Sequence, residues 1–168
     1  LDTLAREAMW KYGINYLHGT GHGVGQFMSV HESIDLHQFR MQWRPTPLLP
    51  GMTITDEPGV YIEGSHGVRH EDTMLVVNAE FSSEHGKATS PTCHPCHAAE
   101  AQGITFGPYY TFEHLTLCPI ITSPILTDML TEEERAWFND YQQTVYDRLS
   151  PLLDNEHRDW LREATAAI

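Results

Sequence analysis

The sequence predicts an α+β chain built on a mainly antiparallel sheet. Three observations carry that reading: a helical periodicity at the start, β-branched segments of alternating character between residues 52 and 77, and helical patterns at the end. Leu1, Leu4, Ala5, Ala8, Met9 and Tyr12 recur at the i, i+3, i+4, i+7 spacing of an amphipathic helix, and Gly13 stands where such a helix ends. Residues 15–30, rich in Gly and His, read as neither helix nor strand. The Pro-rich run 44–50 reads as an extended loop.

After Gly51, residues 52–56 form a strand through the β-branched Thr53, Ile54 and Thr55. Residues 60–62 and 68–77 are two further strands, joined by a turn at Gly64-Ser65. Alternation along the second puts Arg69, Glu71, Thr73, Leu75 and Val77 on one face. Residues 79–103 are polar, rich in His, Ser and Cys, and read as a long loop. Thr131 and Glu134 make a capping box, followed by an apolar stripe of Trp137, Phe138, Tyr141, Val145 and Leu149 that Pro151 closes. A shorter helix over 156–166 is expected to bury Trp160, Leu161 and Ala164. No internal repeat is present.

A length of 168 residues suits one domain with a real core. Ten Lys and Arg stand against 23 Asp and Glu, a net charge of -13, which argues against nucleic acid or an anionic membrane as the main partner. No apolar run approaches the ~20 residues of a membrane span, and residues 1–10 hold no secretory h-region. The chain lacks an initiator Met and opens inside a helical pattern, so it reads as part of a longer protein. Cys93, Cys96 and Cys118 are too few for a disulfide framework and fit a reducing cytoplasm.

Three separated patches carry hard or borderline metal ligands. The first runs His18-Gly19-Thr20-Gly21-His22-Gly23-Val24-Gly25 and is followed by His31. The second is Thr55-Asp56-Glu57-Pro58-Gly59, a carboxylate at a strand end. The third is Gly67-Val68-Arg69-His70-Glu71-Asp72, a carboxylate on a strand that is becoming apolar. A buried carboxylate costs several kcal/mol unless it is paired or bound to a metal. Singly, each patch has an ordinary reading: a Gly-His turn, Glu57 capping or paired with Arg44, Glu71 paired with Arg69 or facing water. A cation shared by His22 and Glu57 explains them together.

In this order and spacing the patches resemble the pita-bread metallopeptidases: methionine aminopeptidases, prolidases, creatinases and aminopeptidase P. The resemblance also rests on Val30-His31-Glu32 and Pro50-Gly51-Met52. Within the family the chain is most similar to the three-domain, cytosolic type of aminopeptidase P, whose C-terminal extension Phe112 to Ile120 and the helix start around Leu130-Thr131 resemble. The resemblance implies half of a pita-bread domain. Residues 1–78 would be the metal-site half, 79–103 a polar loop and 104–168 the aminopeptidase P type of extension.

The implied activity is hydrolysis of the N-terminal Xaa-Pro bond of peptides with proline second, by two-metal activation of water. His22, Glu57 and Glu71 would be metal ligands, with Glu57 also handling the proton of the attacking water and Glu71 bridging two ions. His31 would stabilise the oxyanion, and His18 would line the proline side of the bond. Oxygen and imidazole ligands without thiolate suit manganese, with zinc or cobalt as alternatives. A cytoplasmic homodimer is implied as well.

The chain also departs from the pattern. Two further Asp ligands belong to the preceding half of the domain, and only Asp2 lies upstream of His18, in a helical setting that does not fit. With three of five ligands the chain is expected to be inactive alone. Ser33-Ile34 replaces a common Gly-Pro, and His70 replaces an aliphatic residue. The alternatives are a prolidase-type dipeptidase, which the C-terminal extension disfavours, and a non-catalytic metal-binding or dimerisation module. Cys93-His94-Pro95-Cys96-His97 has the C-x-x-C-H spacing of haem attachment, but chance spacing in a loop is the simpler reading, ahead of a small zinc site.

Overall fold

The computed structural model describes residues 1–32, 47–79 and 108–168. These divide into two compact units, 1–79 with 108–116 and 117–168. The expected loop at 80–103 with its cysteine motif, Ser33-Ile34 and Arg44 lie outside the described residues.

The first unit opens with helix α1 (Asp2–Trp10), and Gly13, at φ +69°, turns the chain away from it. The expected apolar stripe is not the buried one. Leu4 is 68% and Tyr12 67% exposed, whereas Arg6 is fully buried and Asp2 nearly so. The correction has a clear physical cause, because the Arg6 guanidinium meets five oxygens that the chain brings around it. Its Nε donates to both Asp2 oxygens, at 3.0 and 2.9 Å, and Nη1 to Asn15 Oδ1 and the Tyr16 carbonyl. Nη2 donates to the His18 carbonyl at 2.8 Å. The guanidinium also lies 4.0 Å from the centroid of the Tyr16 ring.

Four strands follow: β1 (Thr53–Asp56), β2 (Gly59–Ile62), β3 (His66–Arg69) and β4 (Asp72–Asn78). The sequence reading ran residues 68–77 as one strand. The structure breaks it at His70-Glu71, and the two pieces join different sheets. β3 pairs antiparallel with β2 in a hairpin, while β4 lies between β1 and a strand not foreseen, β5 (Tyr110–His114). β5 falls within residues 104–168, yet it completes the sheet of the site-bearing unit. Ile54, Met74 and Val76 form the buried face of that sheet, packed by Leu48, Met52 and Phe112. Each such side chain contributes about 1.5–3 kcal/mol.

The second unit holds helices α2 (Glu132–Leu149) and α3 (Asn155–Ala164). Thr131 and Glu134 form both halves of the foreseen capping box, and Pro151 sits in a short 3-10 turn, Ser150–Leu152, that ends α2. Tyr141, Val145 and Leu161 make its core, with Leu117, Ile120 and Leu149 against it. Trp160, expected inside, is 59% exposed. It adjoins Leu161 on the helix, and only Leu161 turns to the core, since neighbours differ by about 100° in direction.

Candidate metal centre

The sheet register explains how the predicted site residues approach one another. β1 and β4 pair Thr53 with Leu75, Ile54 with Met74, Thr55 with Thr73 and Asp56 with Asp72. Carried one step past the end of the ladder, the same register would set Glu57 opposite Glu71. Both positions alternate onto the face of Thr55 and Thr73, opposite the buried Met74 and Val76. The segment 20–24 runs beside the other edge of β1. The Thr55 N–H donates to the His22 carbonyl at 2.8 Å, Glu57 N–H to the Thr20 carbonyl at 2.6 Å, and Val24 N–H to the Thr53 carbonyl at 2.9 Å. Hence His22 lies next to Thr55.

His22 Nε2 is 3.2 Å from Glu57 Oε1, and both side chains are nearly buried. Thr55 Oγ1 donates to the same Glu57 oxygen at 3.1 Å, and Arg69 Nη1 donates to Oε2 at 3.2 Å. The other His22 nitrogen, Nδ1, faces the Gly23 carbonyl at 2.9 Å. A carbonyl only accepts, so Nδ1 carries a proton, and Nε2 is the ring atom turned toward the carboxylate. At 3.2 Å the two atoms need a cation between them, a proton or a metal. An imidazole whose second nitrogen is fixed by a carbonyl, beside carboxylate oxygens, is a donor set that fits a divalent cation.

The His31 ring lies edge-on to His22, with centroids 4.3 Å apart. His18 lies elsewhere in the network. Its Nδ1 donates to the Gly19 carbonyl at 2.7 Å, and Nε2 accepts from the Tyr61 hydroxyl at 2.8 Å and Arg69 Nη2 at 3.1 Å. Tyr61 in turn accepts from Arg69 Nε at 2.7 Å. That bond, with the negative charges of Glu57 and Glu71 nearby, raises the Arg69 pKa. Arg69 thus pairs with Glu57, whereas Glu71, the partner foreseen for it, acts on it only through its charge. Glycine at 59 and 67 makes room for the Tyr61 ring, since a Cβ at either would collide with it.

Glu71 itself is exposed at the break between β3 and β4. Among the described residues no group of three His, Cys, Asp or Glu side chains is gathered closely enough to hold a metal. The structure therefore sets Glu57 and His31 each against His22 and leaves Glu71 exposed just past the end of the β1–β4 ladder. Asp2 is engaged elsewhere, with Arg6 and with Thr20 Oγ1 at 2.6 Å. Tyr16 donates to that Thr20 hydroxyl at 2.5 Å, and burial raises the Tyr16 pKa. The sequence assigns no role at the site to Arg6, Thr55 or Tyr61. Two signals were there: Asp2 and Arg6 at i, i+4, and Thr55 two residues from Glu57 on one strand face.

Residues 1–78 match the model of metallopeptidase family M24, and residues 108–168 match that of the C-terminal region of peptidase M24. The chain belongs to metallopeptidase family M24. It is 38% identical over its whole length to a probable Xaa-Pro aminopeptidase P of Coprinopsis cinerea, covering 24% of that protein. It is likewise 38% identical to aminopeptidase P1 of Arabidopsis thaliana, covering 23% of it. The crystal structure of X-prolyl aminopeptidase from Caenorhabditis elegans, described as a cytosolic enzyme with a di-nuclear active site, superposes with a TM-score of 0.74 at 33% identity. That match covers 99% of this chain and 24% of the enzyme. The chain thus spans about a quarter of the length of these relatives, and its helices and antiparallel sheet are part of the M24 pita-bread domain. Among the described residues no helix is long and apolar enough to cross a membrane.

Proposed function

We propose that this chain supplies one wall of the catalytic centre of a cytoplasmic Xaa-Pro aminopeptidase, with His22, Glu57 and Glu71 as ligands of two divalent cations. The observation that carries the reading is the approach of His22 Nε2 to Glu57 Oε1 at 3.2 Å, with Glu71 opposite Glu57 if the β1–β4 register is carried one step on. Bound there, two cations would lower the pKa of a water and polarise the scissile carbonyl. Manganese suits the oxygen and imidazole donors, with zinc and cobalt as alternatives.

The residues of the chain do the rest. Glu57 takes the proton of the attacking water, and the hydrogen bonds from Thr55 and Arg69 keep its carboxylate turned toward His22. His31, beside His22, donates to the oxyanion that develops on the carbonyl. His18, its Nδ1 held by the Gly19 carbonyl, lines the proline side of the bond. Substrates are peptides with proline at the second position. The remainder of the domain and a second copy of the protein are the partners that would meet the exposed Leu1, Leu4, Trp10 and Tyr12. Because only His22 and Glu57 are in contact, the chain alone is inactive and binds cations weakly.

Release of arginine from Arg-Pro-Pro by the full-length protein tests this. The account expects cleavage that a chelator abolishes, manganese restores and Glu57→Gln removes. Cleavage of Xaa-Pro dipeptides in preference to the tripeptide would favour a prolidase-type enzyme, and no metal-dependent cleavage of either would end the enzymatic reading.

A further inference from the structure

The two carboxylates just beyond the β1–β4 ladder are not the only ones there. One rung inside, Asp56 stands directly opposite Asp72, and like charges in that arrangement are destabilising. Two facing carboxylates repel unless something holds one of them aside.

That something is on β5. His114 is the register partner of Met74, which makes it the diagonal neighbour of Asp72 on the same face of the sheet. His114 Nδ1 contacts Asp72 Oδ2, and both side chains are largely covered. The Thr116 N–H donates to the other Asp72 oxygen at 3.3 Å. Thr73, next along β4, is tied to the same segment: its N–H donates to Thr116 Oγ1 at 3.0 Å, and its carbonyl accepts from Leu115 N–H at 2.8 Å. The residue after Glu71 is therefore fastened by its side chain and the next one by its backbone. Alternation then turns Glu71 to the opposite face, over Glu57.

We propose that His114 is a positioning residue for the cation site: through Asp72 it fixes the start of β4, so that Glu71 is presented opposite Glu57. The proposal rests on the assignment of Glu71 as a ligand. His114 touches neither cation nor substrate. Its effect is read in the affinity of the site, as for other groups that orient ligands, whose loss weakens metal binding about 10–100-fold.

The test is calorimetric titration of the full-length protein with manganese alone, on two variants of similar size and polarity. His114→Asn keeps a donor where Nδ1 stands, and His114→Gln moves it to the Nε2 position. The expected result is manganese affinity about tenfold weaker in His114→Gln and near the parent value in His114→Asn. Parent-like affinity in His114→Gln overturns the proposal, and so does an equal loss in both variants, which would point to packing alone. Glu71→Gln separates the two layers of the argument. If it leaves manganese binding intact, the ligand assignment fails; if it weakens binding while His114→Gln does not, only the positioning role fails.

Discussion

Among the described residues, each of the two units buries four apolar side chains: Tyr16, Ile54, Met74 and Val76 in the first, and Phe138, Tyr141, Val145 and Leu161 in the second. The buried polar side chains are divided unevenly. Asp2, Arg6, Thr20, Thr55 and Thr111 belong to the first unit, and Gln142 alone to the second. The unit that carries the candidate site is framed by polar contacts made at a distance in sequence, Arg6 to His18 and Glu57 to Arg69 among them. The other unit is framed by helix caps and a helical stripe. The contrast teaches that a site needing fixed imidazoles and carboxylates is built on a frame whose hydrogen bonds have direction, because apolar packing does not aim a lone pair.

The comparison can be broken at several points. The largest effect is expected for Arg6→Met, which removes the Arg6 donors from Asp2, Asn15 and the Tyr16 and His18 carbonyls. Breaking a buried pair in this way costs about 3–5 kcal/mol, and urea unfolding of the full-length protein would measure it. A loss below about 1 kcal/mol would mean that the polar frame is replaceable. Next comes His31→Ala, expected to lower kcat by about two orders of magnitude while metal content is retained, since an oxyanion donor is lost and no ligand is. Metal loss in parallel would make His31 a ligand.

In the second unit Gln142→Leu tests the exception. The Gln142 amide accepts from Ile120 N–H and donates to the Ile120 and Ala164 carbonyls. Leaving those groups unpaired should cost about 1–3 kcal/mol, without change in manganese affinity. The smallest effect is in acid. Hydrogen bonds from the Thr131 and His157 backbone N–H and side chains hold the carboxyls of Glu134 and Asp154 below their usual pKa. A depressed folded-state pKa stabilises above the unfolded value and is lost as pH falls through the folded one. Helicity of α2 and α3 should therefore decline as pH drops below about 4, and Asp154→Ala should flatten that profile for α3.

Much of this was legible in the sequence, for reasons that differ by element. Thr131 and Glu134 obey a rule that spans three residues, so the capping box was readable at sight. β1 and β2 were marked by Thr53, Ile54 and Val60. β4 was readable as well, although its start was not: nothing local says that His70-Glu71 is where one strand ends and another begins, since the break is made by pairing with two different sheets. β5 escaped because Tyr110-Thr111-Phe112-Glu113-His114 declares itself only against β4. The stripe of α1 misled, because periodicity identifies a helix but not which of its faces meets the rest of the unit. His22 and Glu57 were legible through their motifs. Their register with Glu71 and the clamp of His114 on Asp72 needed the ladder.

The central claim is that His22, Glu57 and Glu71 hold divalent cations. The most direct test is anomalous diffraction at the manganese edge from crystals of the full-length protein grown with manganese. The account predicts peaks about 2.0–2.5 Å from His22 Nε2 and the Glu57 carboxylate, with Glu71 bridging to a second ion. Manganese ligated elsewhere, with His22 and Glu57 still facing each other at hydrogen-bond distance, would contradict it.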